Sequence, residues 1–270
     1  MPGKRPAKDS NERWTPIPDP AGRFSSGIPD FDRLLGGGYL RGAMTLLELD
    51  SSVEPADRAL LMNPTYLNFL YQSRGILAVL PARESPHEFR ARLTQWVSRR
   101  RFDTRVRIVE YIGEDDEFPY VVSMKEATRR MRPGGGAAAP AQEKRRNKQR
   151  DADMEKMVKA EVAVRGARSK PFLETVSFEI CDLLFGSDTA SRMFFHGIKR
   201  ARMVGNLALG ILRPGVGCAD AVRGMADAVV AVGRNELGVT VRGIRPVFPL
   251  HLAVVDPRLG APHVSFLPAA

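Results

Sequence analysis

The chain has 270 residues, of which 43% are hydrophobic and 27% charged, proportions that are typical of one globular α/β domain. No apolar stretch of about 18 residues occurs, which argues against a membrane-spanning helix. Residues 1–20 are polar and proline-rich and lack the apolar core of a signal peptide, so we expect a cytoplasmic protein.

The cysteines and histidines do not indicate a metal site. Cys181 and Cys218 lie far apart in the sequence, which favours two buried thiols over a disulfide or a ligand pair. None of the four histidines has a partner at ligand spacing. A Ser/His/Asp hydrolase is also unsupported, because the motif G-x-S-x-G does not occur.

Two basic clusters contribute to the net charge of +10. The first comprises Arg99, Arg100 and Arg101, with Arg105 and Arg107 nearby, and the second comprises Lys144, Arg145, Arg146, Lys148 and Arg150. Such clusters bind nucleic acid by neutralising phosphates, but they are also typical of a solvated surface. No aromatic residue lies within 99–101 or 144–150, so a stacking platform for single strands is not indicated.

The N-terminal part of the chain predicts an arm, a short helix and a buried strand. Residues 1–23 are interpreted as a flexible arm. A helix over 30–35 is followed by three consecutive glycines, which suit a helix C-terminus and a tight turn. The continuous apolar run over 43–49 is typical of a buried parallel strand.

Residues 27–38 read G-I-P-D-F-D-R-L-L-G-G-G, and Arg41, Gly42 and the apolar run come next. This order resembles the opening of the KaiC and RecA-type ATPase domains. In that family the strand leads directly into a phosphate-binding loop with the pattern G-x-x-x-x-G-K-S/T. The resemblance implies a RecA-like fold and directs attention to the residues after position 49.

The loop after this strand lacks what phosphate binding requires. In a phosphate-binding loop, glycines let backbone N–H groups surround the phosphates, a lysine reaches the β/γ oxygens, and a hydroxyl ligates Mg²⁺. Here no glycine lies between Gly42 and Gly75, and no lysine lies between Lys8 and Lys125. The degenerate loop contains Asp50, Ser51, Ser52, Glu54, Pro55 and Asp57. Its acids repel phosphate and its proline removes a donor, so we expect no cofactor, no catalytic residue and no enzyme activity.

A helix over 55–72, interrupted at Pro64, and a strand over 75–80 are predicted next. The family then has an acidic pair, the first member of which polarises the attacking water. Arg83 matches that first acid and Glu84 the second, although a shift of one residue would make Glu84 the catalytic carboxylate. Ser85 and Glu88 have the spacing of a capping box for a helix over 88–97.

The middle of the chain predicts a strand over 106–111 and, from the resemblance, a helix over 120–131. Residues 133–150 are low in complexity and contain the second basic cluster, which predicts a disordered insertion before a helix over 151–164. Residues 172–185 occupy the place of the family's second nucleotide motif. The acids available there are Glu179 and Asp182.

The C-terminal part predicts a helix over 191–203, a strand over 207–212 and a second strand within 225–232. The last of these fits the family's strand that begins Ala-Asp. A hairpin over 239–245 and 251–255 follows. Arg242 or Arg245 lies near the family's K-x-R pair, which reaches the nucleotide of the neighbouring subunit, but the first member here is not lysine.

The alternation of short apolar runs and helical stretches predicts a single α/β domain over residues 24–268. We expect a three-layer fold with a central, mostly parallel sheet and antiparallel strands near the C-terminus. The resemblance implies a non-catalytic regulatory or scaffold subunit, whose protein partner is an intact ATPase of the same family or a second copy. One alternative is a nucleic-acid-associated protein, similar to a recombinase paralogue, that uses the two basic clusters. Another is a working nucleoside triphosphatase with an unorthodox site, against which the missing lysine argues.

Overall fold

The computed structural model describes residues 14–81, 84–110, 121–123, 171–256 and 263–269. The strands in these ranges are β1 (Arg23–Phe24), β2 (Tyr39–Leu40), β3 (Met44–Leu49), β4 (Ile76–Val79), β5 (Val106–Glu110), β6 (Val121–Ser123), β7 (Leu173–Ser177), β8 (Leu207–Leu212), β9 (Ala228–Asn235), β10 (Gly238–Arg245), β11 (Val247–Asp256) and β12 (His263–Pro268). The helices are α1 (Pro29–Leu34), α2 (Pro55–Tyr71), α3 (Pro86–Leu93), α4 (Arg99–Arg105), α5 (Phe178–Phe185), α6 (Ser187–Val204) and α7 (Ala219–Met225).

The described strands other than β1 and β2 form one mixed sheet in the order β12-β11-β10-β9-β3-β8-β7-β4-β5-β6. The seven strands from β9 to β6 in this order are all parallel to one another. The strands β10, β11 and β12 extend the sheet in antiparallel pairs. This topology confirms the predicted fold class, a largely parallel sheet closed by antiparallel strands near the C-terminus.

Helices cover the parallel part of the sheet on both faces, which explains why its strands read as continuous apolar runs. One core lies between the sheet and α1 to α4, and includes Leu47 of β3 and Phe69 of α2. The other lies between the sheet and α5 to α7, and includes Leu46 of β3 and Phe178 of α5. Because alternate residues of β3 point to opposite faces, one strand supplies both cores.

The segment over 14–23 packs against the domain, which corrects the predicted boundary at Phe24. Trp14 is only 7% exposed. The backbone N–H of Ile17 donates to the side-chain oxygen of Asn68 at 2.8 Å, and the Asn68 amide donates back to the Ile17 carbonyl at 3.1 Å. Asp19 forms ion pairs with Arg41 and Arg74. These contacts fix the segment to α2 and to the amino ends of β3 and β4.

Three local predictions also change. The helix α2 continues through the buried Pro64, whose missing N–H removes one intrahelical hydrogen bond but does not end the helix. Residues 121–123 form a strand parallel to β5, where a helix over 120–131 was expected. Residues 99–105, which were interpreted only as a basic cluster, form the helix α4 with Ser98 as its N-cap. The predicted insertion at 133–150 and helix at 151–164 lie outside the described residues.

Candidate functional site

A cleft of about 580 Å³ opens at the carboxyl edge of the parallel strands, beside the loop that joins β3 to α2. In open α/β sheets, ligands bind at this edge. The cleft is lined by the β3–α2 loop, the start of α2, the helix α5 and the loop after β8. The lining residues are Ser51, Val53, Glu54, Pro55, Arg58, Pro81, Glu179, Asp182, Leu183, Arg213, Pro214, Gly215 and Val216. The structure therefore brings Ser51, Glu54 and Pro55 of the predicted degenerate loop together with both acids of α5.

Four backbone N–H groups of the β3–α2 loop donate to acceptors within the chain. The Asp50 N–H donates to the Val232 carbonyl at 2.8 Å. The Ser52 N–H donates to Asp50 Oδ1 at 2.9 Å, and the Val53 N–H donates to the Asp50 carbonyl at 3.1 Å. The Glu54 N–H donates to Asp57 Oδ2 at 3.0 Å. These four donors are thus occupied, and a phosphate group could bind them only by displacing the internal acceptors.

Two of these acceptors are carboxylates of the chain, those of Asp50 and Asp57, which take the place that a bound anion would have at the loop. Asp50 is exposed and accepts hydrogen bonds from the backbone and the hydroxyl of Ser52, which lower the pKa of its carboxyl group. Asp57 is buried in the first turn of α2. Arg234, at the end of β9, donates to both of its carboxylate oxygens. The negative charges at the loop are consequently those of the chain's own residues Asp50 and Asp57.

Glu84, the alternative catalytic carboxylate, is held between two arginines. Its side chain is 6% exposed. One carboxylate oxygen lies 2.5 Å from an Arg58 nitrogen and the other lies 2.5 Å from an Arg92 nitrogen. A general base must reach a water molecule beside the substrate, and ion pairs to both oxygens oppose that role. Ser85 and Glu88 form the predicted capping box at the start of α3. Arg83 lies outside the described residues.

The acids predicted at the second nucleotide motif lie on α5, directly after β7. Asp182 Oδ2 accepts a hydrogen bond from the Gly217 N–H at 2.9 Å. Burial, followed by the negative charge of Asp182, raises the pKa of the neighbouring Cys218 thiol to about 11. Both cysteines are free and buried, as predicted. Asp182 thus connects α5 to the loop after β8, while Glu179 faces the same cleft.

The first basic cluster lies at the other edge of the sheet. The helix α4 leads directly into the amino end of β5, whereas the cleft lies at the carboxyl ends. Arg99 and Arg100 are exposed, and neither forms an ion pair within the described residues. The Arg101 guanidinium lies 4.7 Å from the centre of the Tyr71 ring. The second cluster, Lys144 to Arg150, lies outside the described residues.

The arginines of the cleft were not predicted from the sequence. Arg58 and Arg213 line the cleft, while Arg92 pairs with Glu84 and Arg234 pairs with Asp57. These arginines are separated in the sequence, and only the fold brings them to this region. A weak signal was the position of Arg58, which follows the loop in the first turns of α2. Arg213 directly follows β8 and donates to the Val53 carbonyl at 3.0 Å.

Two kinds of feature are absent from the described ranges, a membrane-spanning helix and a cluster of metal-ligand residues. Across these ranges, no helix combines the length and apolar character needed to cross a membrane. In the same parts of the chain, no three His, Cys, Asp or Glu side chains are grouped as metal ligands.

Residues 13–228 match the family model described as GvpD basic region 2. The chain is 36% identical over 107 residues to Protein GvpD1 of Halobacterium salinarum, and 35% identical over 101 residues to Protein GvpD2 of the same organism. These matches cover 39% and 37% of this chain but only 20% of each relative. The matched part therefore spans about a fifth of the length of these curated relatives.

The crystal structure of a KaiC-like protein from the hyperthermophilic archaeon Pyrococcus horikoshii OT3 has a similar fold. Its TM-score against this chain is 0.59 at 12% sequence identity, and the match covers 91% of this chain and 99% of that protein. At this identity the likeness concerns the fold alone. It confirms that the chain has a KaiC-like fold.

Proposed function

Since the chain belongs to the family described as GvpD basic region 2, we propose that it is a non-catalytic KaiC/RecA-like protein. In this proposal it acts as a regulatory or scaffold subunit through protein–protein contacts. A regulatory role fits both the GvpD relatives and the KaiC-like fold. Because fold alone does not specify function, the proposal depends on the hydrogen bonds and the charges in the cleft.

The observation that carries the proposal is that backbone N–H groups of the β3–α2 loop already donate hydrogen bonds to acceptors within the chain. Four of its N–H groups donate to the chain's own acceptors, including the carboxylates of Asp50 and Asp57. The polyanion ATP would have to displace these acceptors and approach Glu54, Glu179 and Asp182. No lysine is available in the loop to offset that repulsion. We expect ATP binding to be very weak and hydrolysis to be absent.

Isothermal titration of the full chain with ATP and Mg²⁺ tests the nucleotide part of the proposal. The expected result is no saturable binding in the micromolar range, and no phosphate release above that of buffer. An intact ATPase of the KaiC type, titrated in the same buffer, serves as the positive control. A micromolar dissociation constant for ATP would support the working nucleoside triphosphatase and overturn the proposal.

The protein-contact part needs a separate experiment. The tagged full chain, isolated from its native cells after crosslinking, is expected to retain a defined partner, either an ATPase of the same family or a second copy. Washing at high salt distinguishes a specific complex from association through the basic clusters, since contacts between exposed charges are screened by salt. Recovery of nucleic acid alone, and its removal at high salt, would favour the second candidate function.

That second candidate is nucleic-acid binding, and the exposure of Arg99 and Arg100 on α4 favours it. Neither guanidinium is engaged by an acid within the described residues. Arginines of this kind contact phosphates in a sequence-independent and strongly salt-dependent way. The family description, a basic region, is consistent with this charge. Titration of labelled duplex DNA at several salt concentrations tests it, and binding that does not weaken with salt would contradict it.

A further inference from the structure

Two arginines, Arg58 and Arg213, line the cleft, and only Arg58 forms an ion pair within the described residues. Arg58 and Arg92 both bind the single carboxylate of Glu84. Arg213 has no ion pair within the described residues, and it uses one nitrogen to donate to the Val53 carbonyl. Arg58 and Arg213 both line the cleft, whose volume of about 580 Å³ is that of a small-molecule site.

The two other arginines near Arg58, Arg92 and Arg213, favour the addition of a negative charge beside it. Burial is the main cause that lowers the pKa of Arg58, and the positive charges of Arg92 and Arg213 lower it further, against the attraction of Glu84. A small anion between Arg58 and Arg213 would relieve this repulsion. It would also find the planar donors that bind phosphate and carboxylate oxygens.

We propose that the cleft binds a small oxyanion, a phosphoryl or carboxylate group, through Arg213 and Arg58 without a divalent cation. This inference rests on the proposed function, in which the loop no longer binds Mg²⁺ and ATP. The anion is bound by side chains, because the described loop donors are already occupied.

The acids in the same cleft restrict the negative charge that a ligand can carry. Glu54, Glu179 and Asp182 also line it, and like charges placed close together disfavour binding. A triphosphate carries too much negative charge for this site in the absence of a metal ion. The fitting ligand carries one compact anionic group, with a neutral or cationic remainder near α5. It is a small metabolite or the acidic side chain of a partner protein.

The experiment uses the full chain and two probes, inorganic phosphate and acetate, titrated calorimetrically at constant ionic strength. Saturable binding of at least one probe is expected. Substitution Arg213→Gln is expected to weaken it about tenfold or more, because it removes a charge-assisted hydrogen bond. Substitution Arg213→Lys keeps the charge but not the planar fork, so an intermediate affinity is expected. The matched control is Arg223→Gln, since Arg223 is paired with Glu48 and Asp220 and does not line the cleft.

Binding of phosphate alone would identify a phosphoryl ligand, and binding of acetate would identify a carboxylate. Both outcomes support the site if Arg213→Gln abolishes or weakens the binding and Arg223→Gln does not. Absence of binding by either probe, or equal binding by wild type and Arg213→Gln, would overturn it. Thermal unfolding without anion checks that each variant is folded. Micromolar binding of Mg²⁺ and ATP would contradict the proposed function, while the phosphate and acetate data decide the anion site separately.

Discussion

Arg234, at the end of β9, donates from one guanidinium nitrogen to both carboxylate oxygens of Asp57, at 2.7 and 2.8 Å. Asp57 lies in the first turn of α2, and it also accepts the Glu54 N–H at 3.0 Å. The N-terminus of a helix attracts anions. Here a buried side chain of the chain itself supplies that negative charge, so the pair fixes the loop, the start of α2 and β9 to one another.

Substitution Asp57→Ala is expected to lower the free energy of unfolding by about 1–3 kcal/mol, because it removes the third-position acid of the capping box and leaves the Glu54 N–H without its acceptor. Urea denaturation monitored by circular dichroism measures the change. The matched control is Asp220→Ala, whose side chain is 98% exposed and pairs with Arg223 three residues later. A change within about 0.5 kcal/mol is expected there. Equal effects of the two substitutions would show that the pair with Arg234 does not stabilise the fold.

Glu84→Gln is expected to be more damaging, since Arg58 would lose the carboxylate that neutralises it in a buried environment. Removing one partner of a buried ion pair costs about 3–5 kcal/mol. The matched control is Glu88→Gln, four residues later, where glutamine still suits the exposed capping box and little change in the free energy of unfolding is expected. Chemical denaturation of both variants provides the comparison. A Glu84→Gln variant as stable as wild type would mean that the pairing with Arg58 contributes little.

Most of the fold could be predicted because each parallel strand can be recognised from its own continuous apolar run. The run over 207–212 matches β8 at both ends, and the run over 43–49 differs from β3 by one residue. These strands are buried on both faces, so their sequences are continuously apolar. The helix α4 was missed because it is short and rich in arginine, and its only large apolar residue, Phe102, gives no period.

The site could be predicted only in part. The absence of glycine and lysine after β3 is local information, and from it the sequence predicts an altered loop. The pairing of Asp57 with Arg234 is not local, because 177 positions separate the two residues. The same holds for Glu84 and Arg58, which meet because α2 and the chain after β4 are adjacent in the fold. Arginines are common in this sequence, so their composition alone could not identify which of them belong to the cleft.

The buried thiol of Cys218 predicts a pH dependence at alkaline pH. Its ordinary pKa of 9.0 applies in the unfolded chain, whereas burial raises the pKa in the folded protein to about 11. The associated stability is present below pH 9 and disappears as the pH rises to about 11, because only the unfolded chain ionises in that window. Substitution Cys218→Ala removes this part of the pH dependence. Parallel unfolding curves for wild type and variant across this window would contradict the assignment.

The first basic cluster, on α4, predicts an effect on the salt dependence of nucleic-acid binding. The double substitution Arg99→Gln and Arg100→Gln removes two exposed charges from α4. If α4 contacts phosphates, the slope of log affinity against log salt concentration should fall by about 2, roughly one for each phosphate that is no longer neutralised. The matched control is Arg33→Gln with Arg223→Gln, which changes the net charge equally at arginines already paired with Asp30, Glu48 and Asp220. The same change in slope for both double variants would reveal a general charge effect and not a surface on α4.

Deletion of residues 134–150 tests the second cluster, Lys144 to Arg150, in the same assay. That segment is of low complexity and lies outside the described residues, and its sequence contains no large apolar residue that could join a core. We therefore expect the thermal unfolding midpoint to stay nearly unchanged, while partner or DNA binding weakens in a salt-sensitive way. A decrease in thermal stability would instead mean that the segment packs on the domain. If binding persists unchanged in the deletion variant, the folded surface carries the function, and the variants of α4 then decide whether Arg99 and Arg100 bind the phosphates.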